Sequence, residues 1–299
     1  MNGEKLYNGI VSKLPIEKGW SGDKKYLITT SNGNKYLLRI TDDAKNEKCR
    51  KMFDMQKRLA TLGIRMCEAI EIGRCSEGVY TIQTWIDGDD AEKVIPDLNE
   101  KEQYRLGLDA GRMLKRIHTV PAPEDQPLWE PRFNAKINRK LKAYSDCPVK
   151  FDGDVAIMRY IEENRHLLAN RPQCYQHGDY HIGNMMVSCG ELYIIDFDRY
   201  DFGDPWEEFN RIVWCAQSAP IFASGMVNGY FDGAPPIEFW RLLALYICSN
   251  TLSSIPWAIP FGEGEISTMV NQAKEVLSWY NMMQTQVPSW YVTRLSIND

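Results

Sequence analysis

The sequence predicts an α+β fold in two parts: a small, mostly antiparallel sheet lobe over residues 1–86 and a larger, mostly helical lobe over 87–299, with a hinge at 84–88. Three observations predict it. Strand-like runs with hairpin signals fill the first 86 residues, and helical periodicity takes over after Asp87-Gly88. The 299 residues, 44% hydrophobic and 25% charged, suffice for one large domain or two closely packed lobes.

Taken in order, LPIEKGWSGDKKY (14–26) reads as a strand leaving through a loop that contains Gly19, Ser21 and Gly22. YLITT (26–30) and KYLLRI (35–40) are strands joined by Ser31-Asn32-Gly33-Asn34, and an Asn-Gly pair in that place signals a hairpin. From Thr41 to Leu62, the residues Met52, Met55, Leu59 and Leu62 recur at helical spacing, and Gly63 supplies the stop. AIEIG (69–73) and VYTIQTWI (79–86) return to strand. Beyond the hinge, Asn99 with Glu102 caps a helix whose inward stripe is Tyr104, Leu108, Gly111, Leu114 and Ile117. Residues 120–153 form a loop-and-helix insertion broken by Pro121, Pro123, Pro127, Pro131 and Pro148. Further helices are expected near 154–169, 206–217, 236–252 and 264–285.

The longest strongly apolar stretches, such as LLALYICSN at 242–250, fall short of the roughly 20 residues needed to cross a bilayer, and MNGEKLYNGI is too polar for a signal peptide. A soluble, cytoplasmic chain with no membrane partner is the expectation. Eight cysteines without CxxC spacing or a histidine cluster argue against a disulfide framework or a zinc site. A net charge of −5 disfavours nucleic acid as a partner, but it hides a split. Residues 1–86 hold 15 Lys and Arg against 10 Asp and Glu, and the remainder 20 against 30. A basic first part suits a nucleoside triphosphate, and an acidic second part suits magnesium or a cationic substrate. No motif sets an oligomeric state.

The most informative stretch is residues 174–212, CYQHGDYHIGNMMVSCGELYIIDFDRYDFGDPWEEFNRI. It holds His177, Asp179 and Asn184 in an HxDxxxxN arrangement. Two apolar runs around a Ser-Cys-Gly-Glu turn follow, and then Asp196. Phosphoryl transfer needs a carboxylate to orient the attacking hydroxyl and oxygen ligands to hold magnesium against phosphates. Asp179 fits the first task, and Asn184 and Asp196 the second, with the intervening hairpin folding the chain back between them. His177 fits a loop organiser better than a proton shuttle.

HGDYHIGN, IIDFD and GDPWEEFNR together resemble the aminoglycoside phosphotransferase family, which includes choline, homoserine and fructosamine kinase relatives. The resemblance implies a bilobal, protein-kinase-like fold, ATP and Mg2+ as cofactors, Asp179 as catalytic base, and Asn184 and Asp196 as magnesium ligands. Asp204 is implied to be structural. The family's third-strand lysine is matched here by Arg39, an equally permanent charge with a different shape. The position of its usual glutamate partner is matched by Met52, which leaves Glu47 or Asp54 as candidates. Ser21, in the loop Lys18–Asp23, serves either phosphate closure or an ordinary turn. QTWIDG (83–88) resembles the interlobe linker, with the Thr84 carbonyl and Ile86 amide against adenine and ATP preferred over GTP by default.

An aminoglycoside-type antibiotic is the acceptor this resemblance favours, which implies antibiotic resistance. Asp198, Asp201, Glu207, Glu208, Glu263 and Glu265 are the acids that would face a cationic acceptor. Trp206, Phe209 and Val213, at helical spacing, read as core. The alternatives are a metabolic kinase for choline, an amino alcohol or a sugar derivative, and a nucleotide-binding pseudokinase or regulatory module.

Overall fold

The computed structural model describes residues 5–17 and 22–293. In chain order its elements are β1 (Ile10–Ile16), β2 (Lys24–Thr30), β3 (Lys35–Thr41), α1 (Asn46–Ala60), β4 (Ala69–Cys75), β5 (Gly78–Thr84) and β6 (Asp89–Asp90). There follow α2 (Ala91–Val94), α3 (Glu100–Ile117), α4 (Trp129–Asp146), α5 (Asp154–Asn164), β7 (Cys174–Gln176), β8 (Met185–Ser188), β9 (Glu191–Ile194) and β10 (Asp201–Gly203). The chain closes with α6 (Ile212–Ser218), α7 (Pro220–Phe231), α8 (Ile237–Ala258) and α9 (Glu263–Trp279). Two compact units emerge. The first runs to Asp90 and takes in Met185–Asp198; the second is Ala91–Asn184 with the chain from Arg199 onward. The mixed α+β class expected from the sequence is observed.

In the first unit, five antiparallel strands lie in the order β1-β2-β3-β5-β4. The Asn32-Gly33 hairpin forms between β2 and β3, with Gly33 at φ +83°, a conformation open to glycine without steric cost. Alternation along β3 sends Leu38 and Ile40 to one face, where they join Ile28, Tyr80 and Ile82 in a buried cluster covered by Leu6 and Tyr7. Arg39 goes to the opposite face, beside Thr81 on β5. Helix α1 buries Cys49, Met52, Phe53, Gln56 and Leu59, and Gln56 accepts a hydrogen bond from Gln83 at 2.9 Å. A second sheet, β6-β8-β9, pairs Met185 with Ile194 across the hairpin.

The second unit is built around α8, whose buried residues run from Phe239 to Ala258 and which packs against α4, α5 and α9. Each fully buried Leu or Ile there contributes about 2 kcal/mol. LLALYICSN lies inside a longer apolar stretch, Ile237–Phe261, which by length and composition could cross a bilayer, contrary to the sequence expectation. With 67% of its most apolar window buried within the protein, it has the character of a core helix. The insertion carries the 18-residue α4, because Pro121, Pro123 and Pro127 precede it and Pro131 falls in its first turn, where a missing N–H costs nothing. Helix α7 was not expected. It is buried on nearly every side, so it has no polar stripe to betray its period.

Helices α3 and α7 touch backbone to backbone. A Cβ added at Gly107 would lie 2.3 Å from the Phe222 carbonyl oxygen, and one at Gly111 2.1 Å from that of Met226. The reciprocal positions, Gly225 and Gly229, would meet the Tyr104 and Leu108 oxygens at 2.5 and 2.2 Å. All eight cysteines are free thiols.

Candidate active site

In the second unit, β7 delivers the chain into the loop His177–Asn184. His177 is fully buried against the edge of Tyr180, with ring centroids 5.6 Å apart. Gly178 stands at φ +84°, and a Cβ there would meet the Arg199 carbonyl oxygen at 2.0 Å, so only glycine fits. Its N–H donates to both oxygens of buried Glu208, at 3.0 and 3.2 Å. Tyr180 anchors the loop from the other side, its hydroxyl donating to the Ala110 carbonyl of α3 at 2.7 Å. The loop therefore holds its shape through buried polar partners rather than regular structure.

Asp179 sits at the centre of this support. Its Oδ1 is 3.3 Å from Arg211 Nε and 3.6 Å from His181 Nε2, and its Oδ2 is 3.4 Å from Arg199 Nη1. Burial alone would raise its pKa. The close approach of His181 and the charges of Arg211 and Arg199 outweigh that and hold the carboxyl well below the usual carboxylate range. Asn184 points its Nδ2 at the Asp179 main-chain carbonyl, 2.9 Å away, which leaves its Oδ1 as the uncommitted atom. Asp204 is a buried hub: it accepts from Arg171 Nε (2.7 Å) and Nη2 (3.0 Å), from the Tyr246 hydroxyl (2.6 Å) and from Trp206 N–H (3.0 Å).

In the first unit, Arg39 is 8% exposed at its side chain and faces three carboxylates. Its Nη1 bonds Asp198 Oδ1, its Nη2 is 3.6 Å from Asp196 Oδ1, and its Nε is 3.7 Å from Asp23 Oδ2. Burial works against the guanidinium charge, but the three acids more than offset it. For Asp198 the balance runs the other way: burial, with Asp196 alongside, pushes its carboxyl up against the pull of Arg39. Neither Glu47 nor Asp54 is the partner of Arg39. Glu47 pairs with Lys51 at 2.7 Å, and Met52 is buried in the α1 core. The acids that replace them follow β9 or precede β2.

Thr84 ends β5, its N–H donating to the Glu68 carbonyl at 3.0 Å and its hydroxyl accepting from the Glu68 N–H at 2.9 Å. Ile86 is buried. Ser21 lies outside the described residues.

Among the described residues, no three His, Cys, Asp or Glu side chains gather as a metal cluster. Magnesium does not require one, since it keeps several waters and takes one or two protein oxygens plus phosphates. Asn184 Oδ1 in one unit and the Asp196 carboxylate in the other are hard oxygen donors of that kind.

Most of the acids expected to face a cationic acceptor are already engaged. Asp198 binds Arg39, Asp201 lies 3.4 Å from Arg132, Glu207 3.1 Å from Lys136, and Glu208 holds the Gly178 N–H. Glu263 and Glu265 stand in the first turn of α9. Trp206 packs edge-on against Phe231 and Phe239, while Phe209 and Val213 are buried. Reasoning from sequence missed Arg199, Arg211 and the loop-bracing role of Glu208. The signal available was their place within the informative stretch.

The family model described as the phosphotransferase enzyme family matches residues 14–240. No curated protein matches the sequence. Among solved structures, a thermostable mutant of aminoglycoside phosphotransferase APH(4)-Ia in ternary complex with AMP-PNP and hygromycin B is 15% identical, with a TM-score of 0.66, covering 90% of this chain and 94% of that one. Amicoumacin kinase hAmiN, in complex with AMP-PNP, Ca2+ and Ami, is 14% identical at TM-score 0.63, covering 92% and 90%. A choline/ethanolamine kinase family protein from Mesorhizobium loti is 18% identical at TM-score 0.64, again covering 92% and 90%. These likenesses establish a shared fold. The family match over most of the chain makes the conclusion plain: this chain belongs to the phosphotransferase enzyme family.

Proposed function

We propose that the protein transfers the γ-phosphoryl group of ATP to a hydroxyl of a small molecule, with magnesium as the required ion. The observation that carries the reading is Asp179: a carboxylate kept ionised by Arg199, Arg211 and the close approach of His181, on a loop braced by Gly178, Glu208 and Tyr180. In that state it accepts a hydrogen bond from the acceptor hydroxyl and aims the oxygen at phosphorus. Its low basicity places proton transfer late, after the O–P bond has begun to form and the bond to the leaving ADP to break. Magnesium, when bound, neutralises charge on the nucleotide phosphates, and Asn184 Oδ1 and Asp196 are the oxygens that would hold it. Arg39 would face the phosphates, and the Thr84 carbonyl and Ile86 N–H the adenine. The Ile86 N–H makes no hydrogen bond among the described residues, which supports that assignment.

An aminoglycoside-type acceptor draws support from the neighbour bound to hygromycin B, and a choline-type acceptor from the choline/ethanolamine kinase family neighbour. Acceptor-dependent ADP release with Mg-ATP tests the reaction. Asp179→Asn is expected to slow transfer by about 100- to 10,000-fold while nucleotide affinity in calorimetry stays unchanged. Transfer at the wild-type rate would remove Asp179 from the chemistry.

A further inference from the structure

The second unit gathers several cationic side chains around Asp179 and the neighbouring Glu207. Lys136 and Lys140 lie one turn apart on α4, on the same face. Lys136 Nζ is 3.1 Å from Glu207 Oε1, and the other Glu207 oxygen accepts from Gln176 Nε2 at 3.2 Å. Arg211, one turn after Glu207, reaches Asp179 at 3.3 Å, and Arg199 reaches the same carboxylate at 3.4 Å. Four basic side chains, two Lys and two Arg, thus share two carboxylates. Lys140 is the one left over: half-buried, it has no hydrogen bond and no ion pair among the described residues. Burial, then Lys136 and Arg211, push its ammonium down to about 7, against the opposing pull of Glu207. A half-buried amine among like charges is costly unless an anion joins it.

We propose that the acceptor carries an anionic group, a carboxylate or a phosphate monoester, beside its hydroxyl, and that Lys140, with Lys136 and Arg211, receives it. This rests on the phosphotransferase reading above and narrows its substrate class. Arg211 contacts the carboxylate that would orient the hydroxyl and also sits one turn from Glu207, so the anion would lie close to the reacting oxygen. A polycation would add like charge here, and Asp198, Asp201, Glu207 and Glu208, four of the six acids that would have welcomed it, are engaged elsewhere.

The test has two arms on the full chain. In the first, amine acetylation at neutral pH is mapped lysine by lysine in the presence of glycerate, glycerol 3-phosphate, glycerol or gentamicin. Glycerate or glycerol 3-phosphate is expected to protect Lys140 several-fold, whichever protects better naming the anion, while glycerol and gentamicin leave it unchanged. Protection by neither acid would overturn the proposal. In the second, ADP release is followed with hydroxy acids, sugar phosphates, aminoglycosides and choline, comparing wild type with Lys140→Met. The variant is expected to raise KM for an acidic acceptor by about tenfold or more with kcat nearly unchanged. A cationic acceptor turned over with the same KM by both proteins would overturn the proposal. Asp179→Asn transferring phosphate at the wild-type rate would instead break the phosphotransferase mechanism and leave the protection result standing.

Discussion

The two units solve opposite electrostatic problems. In the first, one guanidinium, Arg39, stands among Asp23, Asp196 and Asp198. In the second, one carboxylate, Asp179, stands among His181, Arg199 and Arg211. Each lone charge is held firmly in its ionised form, but the neighbourhoods are left with opposite surpluses. Excess carboxylate around Arg39 is what a divalent cation relieves, and excess cation around Asp179 is what an anion relieves. Charge counted along the chain pointed the other way, basic first and acidic second, because most surface charge is solvated and says little about a site.

Either neighbourhood can be disrupted by a single substitution. The largest effect on stability is expected from Arg39→Met, which leaves three carboxylates facing one another: about 3–5 kcal/mol lost in denaturant unfolding at neutral pH. The Asp198 carboxyl, already pushed up by burial and Asp196, would lose the opposing pull of Arg39, so the deficit applies above its folded pKa and shrinks as it protonates on acidification. A deficit independent of pH would mean that Arg39 does not balance that carboxyl. Glu208→Ala strips the Gly178 N–H of its acceptor. It is expected to cost about 1–3 kcal/mol and to lower kcat by roughly tenfold or more, with nucleotide KM little changed. An unaltered kcat would show that the loop keeps its shape without that bond.

On the cationic side a weaker effect is expected. Lys140 binds its proton less tightly folded, at about 7, than unfolded, where an ordinary lysine titrates near 10. The unfolded chain therefore holds more protons between those limits, and stability rises with pH across that window. Lys140→Met removes the penalty, which is fully present below pH 7. The variant is expected to melt about 2–4 °C higher in mildly acidic buffer and to match wild type near pH 10, as followed by thermal unfolding. A variant less stable at every pH would show that the ammonium is already satisfied.

Local signals carried well. Asn99 Oδ1 accepts from the Glu102 N–H at 3.0 Å, the expected cap, and α1 gives way at Gly63, which turns at φ +68°. The HGDYHIGN loop, its following hairpin and the family match came from residues adjacent in sequence. What stayed hidden was long-range. Arg39 and Asp198 are 159 residues apart, and neither strand alternation nor helical period connects them. Helix α7 lacks the amphipathic contrast that makes a helix visible. Lys140 reads in sequence as one more surface lysine on a polar helix; only its neighbours from the turn Glu207–Arg211 give it a different meaning.

The bare contact between α3 and α7 bears on how this enzyme could be retuned. Four positions in it, Gly107, Gly111, Gly225 and Gly229, accept no side chain, and the carbonyl of Ala110 between the first two carries Tyr180 and with it the Asp179 loop. In a mutagenesis library these glycines would register as fold defects, yet part of their toll would fall on turnover, through the displaced Ala110 carbonyl. Helix α4 has no such duty to the loop. Selection for a new acceptor would find its raw material there, while the α3–α7 seam stays frozen across every successful variant.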